Sequence, residues 1–190
     1  MNAKVLIIIP AYNESENIGR VAQNLINAAP QYDYLIVNDG STDDTLGICE
    51  RAGFSYLDLP INLGIGGAVQ AGYVYARKND YDIAVQMDGD GQHDIAYLED
   101  MLEPILAGEA DVVIGSRFLK KEGFQSSHSR RVGIGILSFL IRLTTGKRIM
   151  DVTSGFRAVN RMFIDIYAKD YPTDYPEPEA IVTAVMHRGR

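Results

Sequence analysis

Val5-Leu6-Ile7-Ile8-Ile9 runs without interruption into Pro10-Ala11-Tyr12-Asn13-Glu14. Five apolar residues in a row, four of them β-branched, do not alternate as a half-exposed strand would, so they are expected to form a strand buried on both faces and ending in a polar turn. Runs of the same kind recur at 34–37, 54–59, 83–87 and 112–114. Between them the apolar residues take helical spacing: Ile18, Val21, Ala22, Leu25 and Ile26 follow Ser15, the expected N-cap, and further helices are expected at 67–78 and at 95–107, the latter kinked by Pro104. Buried strands alternating with helices predict an α/β fold: a Rossmann-like, mostly parallel sheet with helices on both faces, in a single domain over 1–190. Ligands of such sheets lie at the carboxyl ends of the strands.

The 190 residues are 46% hydrophobic and 23% charged, with 18 Gly and 7 Pro. This composition excludes collagen-like and disordered chains. A net charge of −7 disfavours nucleic acid as a partner. Cys49 is the only cysteine, which excludes an internal disulfide framework and a multi-cysteine metal site and fits a reducing, cytoplasmic compartment. The run from Val5 to Ile9 is too short for the core of a signal peptide. No stretch reaches the roughly 18 apolar residues of a membrane span, although 132–143 comes nearest. No internal repeat or linker marks a second domain, and the last third of the chain is expected to decorate the first two.

The strand ends are polar and glycine-rich. Asp88-Gly89-Asp90-Gly91-Gln92-His93 follows a buried strand directly, and its glycines break the alternation that would otherwise splay two aspartates one residue apart. Close carboxylates with Gln92 beside them suit a hard cation, Mg²⁺ or Mn²⁺, which in turn would hold a diphosphate. A calcium loop fits the acidic spacing but not His93 at its obligatory glycine position, and an acidic turn that simply caps the helix from Ile95 is the plainer alternative. Asn38-Asp39-Gly40-Ser41-Thr42-Asp43-Asp44-Thr45 has turn and capping chemistry, yet its place beside 10–14 would let Asp39 accept hydrogen bonds from a nucleobase or ribose. Gly64, Gly66 and Gly67 permit close approach to a ligand but lack a dinucleotide or P-loop fingerprint, which argues against a nicotinamide-dependent dehydrogenase.

Charge is segregated. Between Ser116 and Arg148 stand Arg117, Lys120, Lys121, Arg130, Arg131, Arg142, Lys147 and Arg148 against Glu122 alone, so this +7 segment of a −7 chain leaves −14 on the remainder. An anionic partner, a phosphate or an acidic lipid surface, is expected there. Val132, Ile136, Phe139, Leu140 and Leu143 form one helical stripe, and Ile134, Leu137 and Ile141 a second. A helix over 132–145 this apolar and flanked by arginine and lysine either lies on a membrane surface or is buried in the core.

Taken together, 9–14 (IPAYNE), 37–43 (VNDGSTD), 88–90 (DGD), 115–118 (GSRF) and 153–157 (TSGFR) resemble, in order and spacing, the inverting glycosyltransferase family 2 with the GT-A fold, in particular its dolichol-phosphate mannosyltransferase-like and polyprenyl-phosphate branch. The resemblance implies that Pro10, Ala11, Tyr12, Glu14, Asp39, Gly66 and Asp88 bind the nucleotide and that Asp88, Asp90 and Gln92 hold the metal. Arg117 and Arg131 would face the phosphate of a lipid acceptor. Ile65 stands where many relatives carry lysine, and Val152 replaces a frequent proline. The later strand and membrane-spanning tail of such relatives are not among the 190 residues, so a GT-A catalytic domain cut short at its C-terminus is expected.

The expected reaction is attack of an acceptor oxygen on the anomeric carbon of a UDP- or GDP-sugar, while Asp90 through the metal, together with the arginines, stabilises the departing diphosphate. A polyprenyl or dolichyl phosphate arrives already anionic. A saccharide hydroxyl, as in cell-surface polysaccharide synthesis, would need a base, for which Asp151, Glu177 and Glu179 are candidates. A non-catalytic nucleotide-binding module is the alternative of another class. The expected location is peripheral, on the cytoplasmic face of the membrane.

Overall fold

The structure, a computed structural model, describes residues 3–91, 94–115, 155–172 and 176–190. β1 (Val5–Ala11) has all seven residues buried and is flanked in parallel by β2 (Asp33–Asn38), in register from Leu6↔Asp33 to Ala11↔Asn38, and by β4 (Ile83–Gln86), from Val5↔Ile83 to Ile8↔Gln86. The strand runs two residues past the apolar run and contains Pro10. Ile8 O accepts the Met87 N–H, so by alternation the nitrogen of Pro10 faces the same side two residues further on, where β4 has ended. A missing N–H therefore leaves no gap in the ladder.

Two expectations about element ends are corrected. α1 (Ile18–Ala28) begins after Asn17, not at Ser15: the N–H groups of Asn17 and Ile18 both donate to Glu14 O, while Ser15 N–H donates to the Asp43 carboxylate. β3 (Tyr56–Asp58) is shorter than 54–59, because Phe54 N–H is taken by Cys49 O at the end of α2 (Thr45–Ala52). α3 (Gly64–Lys78) leads into β4. The expected helix at 95–107 divides into a 3-10 turn, Ile95–Tyr97, whose N-terminus Asp94 caps through Ala96 N–H at 3.0 Å, and α4 (Leu98–Leu106), with Pro104 in its last turn.

The larger correction concerns the last third. β5 (Val112–Ile114) does not pair with β4. Between them lies β6 (Arg157–Asn160), antiparallel to both, in a sheet ordered β3-β2-β1-β4-β6-β5. Five of these six strands still point the same way, so the α/β, mostly parallel architecture holds, but the later residues enter the sheet instead of decorating it. β6 had no readable pattern: four residues, polar at both ends, become a strand only because β4 and β5 offer facing edges. α5 (Arg161–Lys169), capped by Asn160 through Phe163 N–H, and α6 (Pro176–Met186) follow.

Period-two alternation along β1 sorts the core. Val5, Ile7, Ile9 and Ala11 pack with α1, α2 and α4 on one face; Leu6 and Ile8 pack with α3, α5 and α6 on the other. Arg157 is buried at 1% exposure on the second face, near Tyr171 and Gln86. Among the described residues no helix is long and apolar enough to cross a membrane. Residues 132–145 lie outside them.

The tightest helix-to-sheet approach is at Gly72, where a Cβ would stand 2.3 Å from Ile8 Cγ2. Gly72→Val is expected to lower stability by about 1–3 kcal/mol through overpacking, read as an earlier urea midpoint at unchanged slope.

Candidate active site

Because β1, β2, β3 and β4 are parallel, their carboxyl ends open on one edge, and four loops meet there. A cavity of about 460 Å³ between them is lined from β1 by Pro10, Ala11, Tyr12 and Glu14, from β2 by Asp39, from the start of α3 by Asn62, Gly64, Ile65 and Ala68, and from β4 by Asp88, Gly89 and Asp90. Its size suits a nucleotide-sized ligand. Seven expected site residues are thus brought to one wall: Pro10, Ala11, Tyr12, Glu14, Asp39, Asp88 and Asp90. Gly66 is not among the lining residues. It is buried on α3, and at about 100° per residue it falls on the far side of the helix from Gly64, Ile65 and Ala68. Gln92, Arg117, Arg131 and Asp151 lie outside the described residues, as do Val152 and the side chain of Glu177. Glu179 is exposed on α6.

The segment 41–45 does more than cap a helix. Asn13 N–H donates to Ser41 Oγ at 3.0 Å, Glu14 N–H to Thr45 Oγ1 at 2.9 Å and Ser15 N–H to Asp43 Oδ2 at 3.0 Å. In return Asn13 Oδ1 accepts the N–H groups of Thr42 and Asp43, from a backbone φ of 55° that asparagine tolerates. Three consecutive donors of one loop are therefore held by side chains of the next. This clamp fixes the turn carrying Tyr12 and Glu14 and leaves no tell-tale spacing in the sequence, because its partners are some 30 residues apart.

Burial opposes ionisation of Asp43, but the hydrogen bonds from Thr45 and Ser15 outweigh it and bring its carboxyl down from 3.8 to about 2. A depressed carboxyl contributes stability that is present above its unfolded value and lost as pH falls through the folded one. Asp43→Asn is therefore expected to lower the melting temperature at pH 5, with the difference from the parent shrinking between pH 4 and 2, as a thermal-unfolding series across that range would read.

Two further side chains support Glu14. Arg20 Nη2 donates to Asn17 Oδ1 at 3.1 Å, and Asn17 Nδ2 donates to Glu14 Oε2 at 2.9 Å. Asn17 and Arg20 were absent from the expected site: Glu14 and Asn17 precede α1, so no helical periodicity links the three. At the β2 end Asp39 is only 2% exposed, and its Oδ1 accepts Leu63 N–H at 2.7 Å, tying the β2 end to the loop before α3. Tyr12, by contrast, is 48% exposed at the cavity lip.

The electrostatics are one-sided. Glu14, Asp39, Asp88 and Asp90 place four carboxylates on the wall, and no lysine, arginine or histidine is among the described lining residues. The hard oxygens of Asp88 and Asp90 fit Mg²⁺ or Mn²⁺, which commonly takes one or two carboxylates and completes its shell with phosphate oxygens and water. Among the described residues no three acidic, histidine or cysteine side chains cluster as a metal site.

The sequence profile of Glycosyl transferase family 2 matches residues 6–167. The chain is 31% identical over 169 residues to the polyprenol monophosphomannose synthase of Mycolicibacterium smegmatis, covering 85% of this chain and 63% of that one. It is likewise 31% identical over 184 residues to the UDP-N-acetylglucosamine–dolichyl-phosphate N-acetylglucosaminyltransferase of Methanococcus voltae, covering 87% and 72%. The chain thus spans somewhat under two thirds of the length of the first relative. The glucosyl-3-phosphoglycerate synthase of Mycobacterium tuberculosis, crystallised with Mn²⁺, UDP-glucose and phosphoglyceric acid, superposes with a TM-score of 0.71 at 18% identity, over 98% of this chain and 66% of that one. Sheet order and family profile agree, and the chain belongs to glycosyltransferase family 2, with the GT-A fold.

Proposed function

We propose that this glycosyltransferase moves a sugar, with inversion, from a nucleoside-diphosphate sugar to a polyprenyl or dolichyl phosphate, and that it depends on Mg²⁺ or Mn²⁺. The observation that carries the reading is the pair Asp88 and Asp90 on the wall of a cavity at the carboxyl ends of the parallel strands, beside Tyr12, Glu14 and Asp39. The names of the two curated relatives support a lipid-phosphate acceptor, and the Mn²⁺ and UDP-glucose of the structural neighbour support the donor and cation.

In this reading Asp39 accepts an N–H or O–H of the nucleoside, and Tyr12 and Pro10 cover it from β1. Glu14, held by Asn17 and by the clamp from 41–45, borders the same cavity. Asp88 and Asp90, with Gln92, hold the cation. Bound there, it neutralises the charge that gathers on the diphosphate as the glycosidic bond breaks. Arg117 and Arg131, in the basic stretch 116–148, receive the acceptor phosphate, whose oxygen is already anionic and needs no base. Residues 132–145 place the protein on the cytoplasmic membrane face.

The test incubates the protein with radiolabelled GDP-mannose, UDP-glucose or UDP-N-acetylglucosamine and a polyprenyl phosphate, with Mn²⁺ or EDTA. One donor should carry label into the organic phase, with Mn²⁺ only. Label that stays wholly aqueous for every donor overturns the lipid acceptor, and undiminished transfer in EDTA overturns the cation.

A further inference from the structure

Gly155 opens the described segment that leads into β6, and a Cβ built on it would lie 2.4 Å from Oδ1, 2.5 Å from Oδ2 and 2.7 Å from Cγ of Asp88. Those three atoms are the whole carboxylate. The sheet explains the encounter. β6 runs antiparallel to β4 with Arg157 opposite Gln86, and continuing that register two residues brings 155 opposite 88. At such a position two facing side chains normally pack side by side. Here one is absent, and the carboxylate of the other occupies its space.

We propose that Gly155 is a positioning residue: its bare backbone is the seat that holds the Asp88 carboxylate on the cavity wall. The seat follows from the register and the contact distances, while its use in cation binding rests on the function proposed above. Any side chain at 155 must displace the carboxylate. Asp88 is only half-buried, so a short acidic side chain can turn away about its own torsions without unfolding the sheet. The residues just before β6 thereby control a group at the end of β4.

Two measurements on the intact protein test this. The first is the carboxyl carbon resonance of Asp88 in ¹³C-aspartate-labelled protein, assigned by its disappearance in Asp88→Asn. The second is Mn²⁺ affinity by electron paramagnetic resonance of the free ion. Gly155→Ala should move the Asp88 resonance and weaken Mn²⁺ at least about tenfold. In an Asp88→Ala background it should cause no further loss, since no carboxylate remains to be displaced. An unmoved resonance, or the same loss of affinity in both backgrounds, overturns the proposal. If the parent takes up no Mn²⁺, the proposed function fails while the resonance still decides the seat. If Gly155→Ala does not fold, recovery of folding in the Asp88→Ala, Gly155→Ala double variant supports the proposal. A double variant that also fails to fold overturns it, because the collision then lies elsewhere.

Discussion

Asp90→Ala is expected to lower sugar transfer by about 10²–10³-fold, the range found when one preorganised charge-stabilising group is removed from an active site. The cavity explains the size of the effect. Its described wall carries the carboxylates of Glu14, Asp39, Asp88 and Asp90, and in the proposed reaction a cation held there would meet the charge that develops on the departing diphosphate. Losing one of the proposed ligands would weaken that cation directly, and raising Mn²⁺ should restore part of the rate. Asp90 is half-buried on a turn and not in the core, so the variant should unfold at nearly the parental urea concentration. Rates with labelled donor over a Mn²⁺ series decide the matter. Activity within twofold of the parent at limiting Mn²⁺ would remove Asp90 from the mechanism.

The second large effect is expected at Asp39. This carboxylate is 2% exposed, accepts Leu63 N–H through Oδ1 and lines the cavity proposed to take the nucleotide. Asp39→Asn keeps an oxygen for Leu63 but replaces a charged acceptor by a neutral amide. A hydrogen bond to a charged group contributes about 1.5–3 kcal/mol, so donor affinity should fall roughly 10- to 100-fold with little change in folding stability. Asp39→Ala loses the same nucleoside contact and also orphans the Leu63 N–H, so it should lose stability as well, by about 1–3 kcal/mol. Calorimetric titration with UDP and GDP in Mn²⁺, beside urea unfolding of both variants, separates the two roles. An asparagine variant that binds nucleotide like the parent would assign Asp39 to loop tethering alone.

Both predictions use residues that were legible in the chain, because Asp39 and Asp90 follow strands whose burial is written in their composition. The support beneath them was not legible. The alternating hydrogen bonds from 13–15 to Ser41, Thr45 and Asp43 join loops that no local pattern connects. Gly66 had the right composition for a ligand contact, but helical phase turned it away from the cavity that its neighbours line.

From sequence alone, the continuous apolar runs dictated buried parallel strands, their spacing dictated intervening helices, and the polar glycine-rich ends marked which edge would hold the chemistry. These are local consequences of the hydrophobic effect and of backbone periodicity, and they need no partner to be read. Only the tertiary structure decided that 157–160 would slip between β4 and β5. A four-residue strand has too little local preference to declare itself, and its free energy comes from two waiting edges. The same insertion sets Gly155 against Asp88, a contact between residues 67 positions apart.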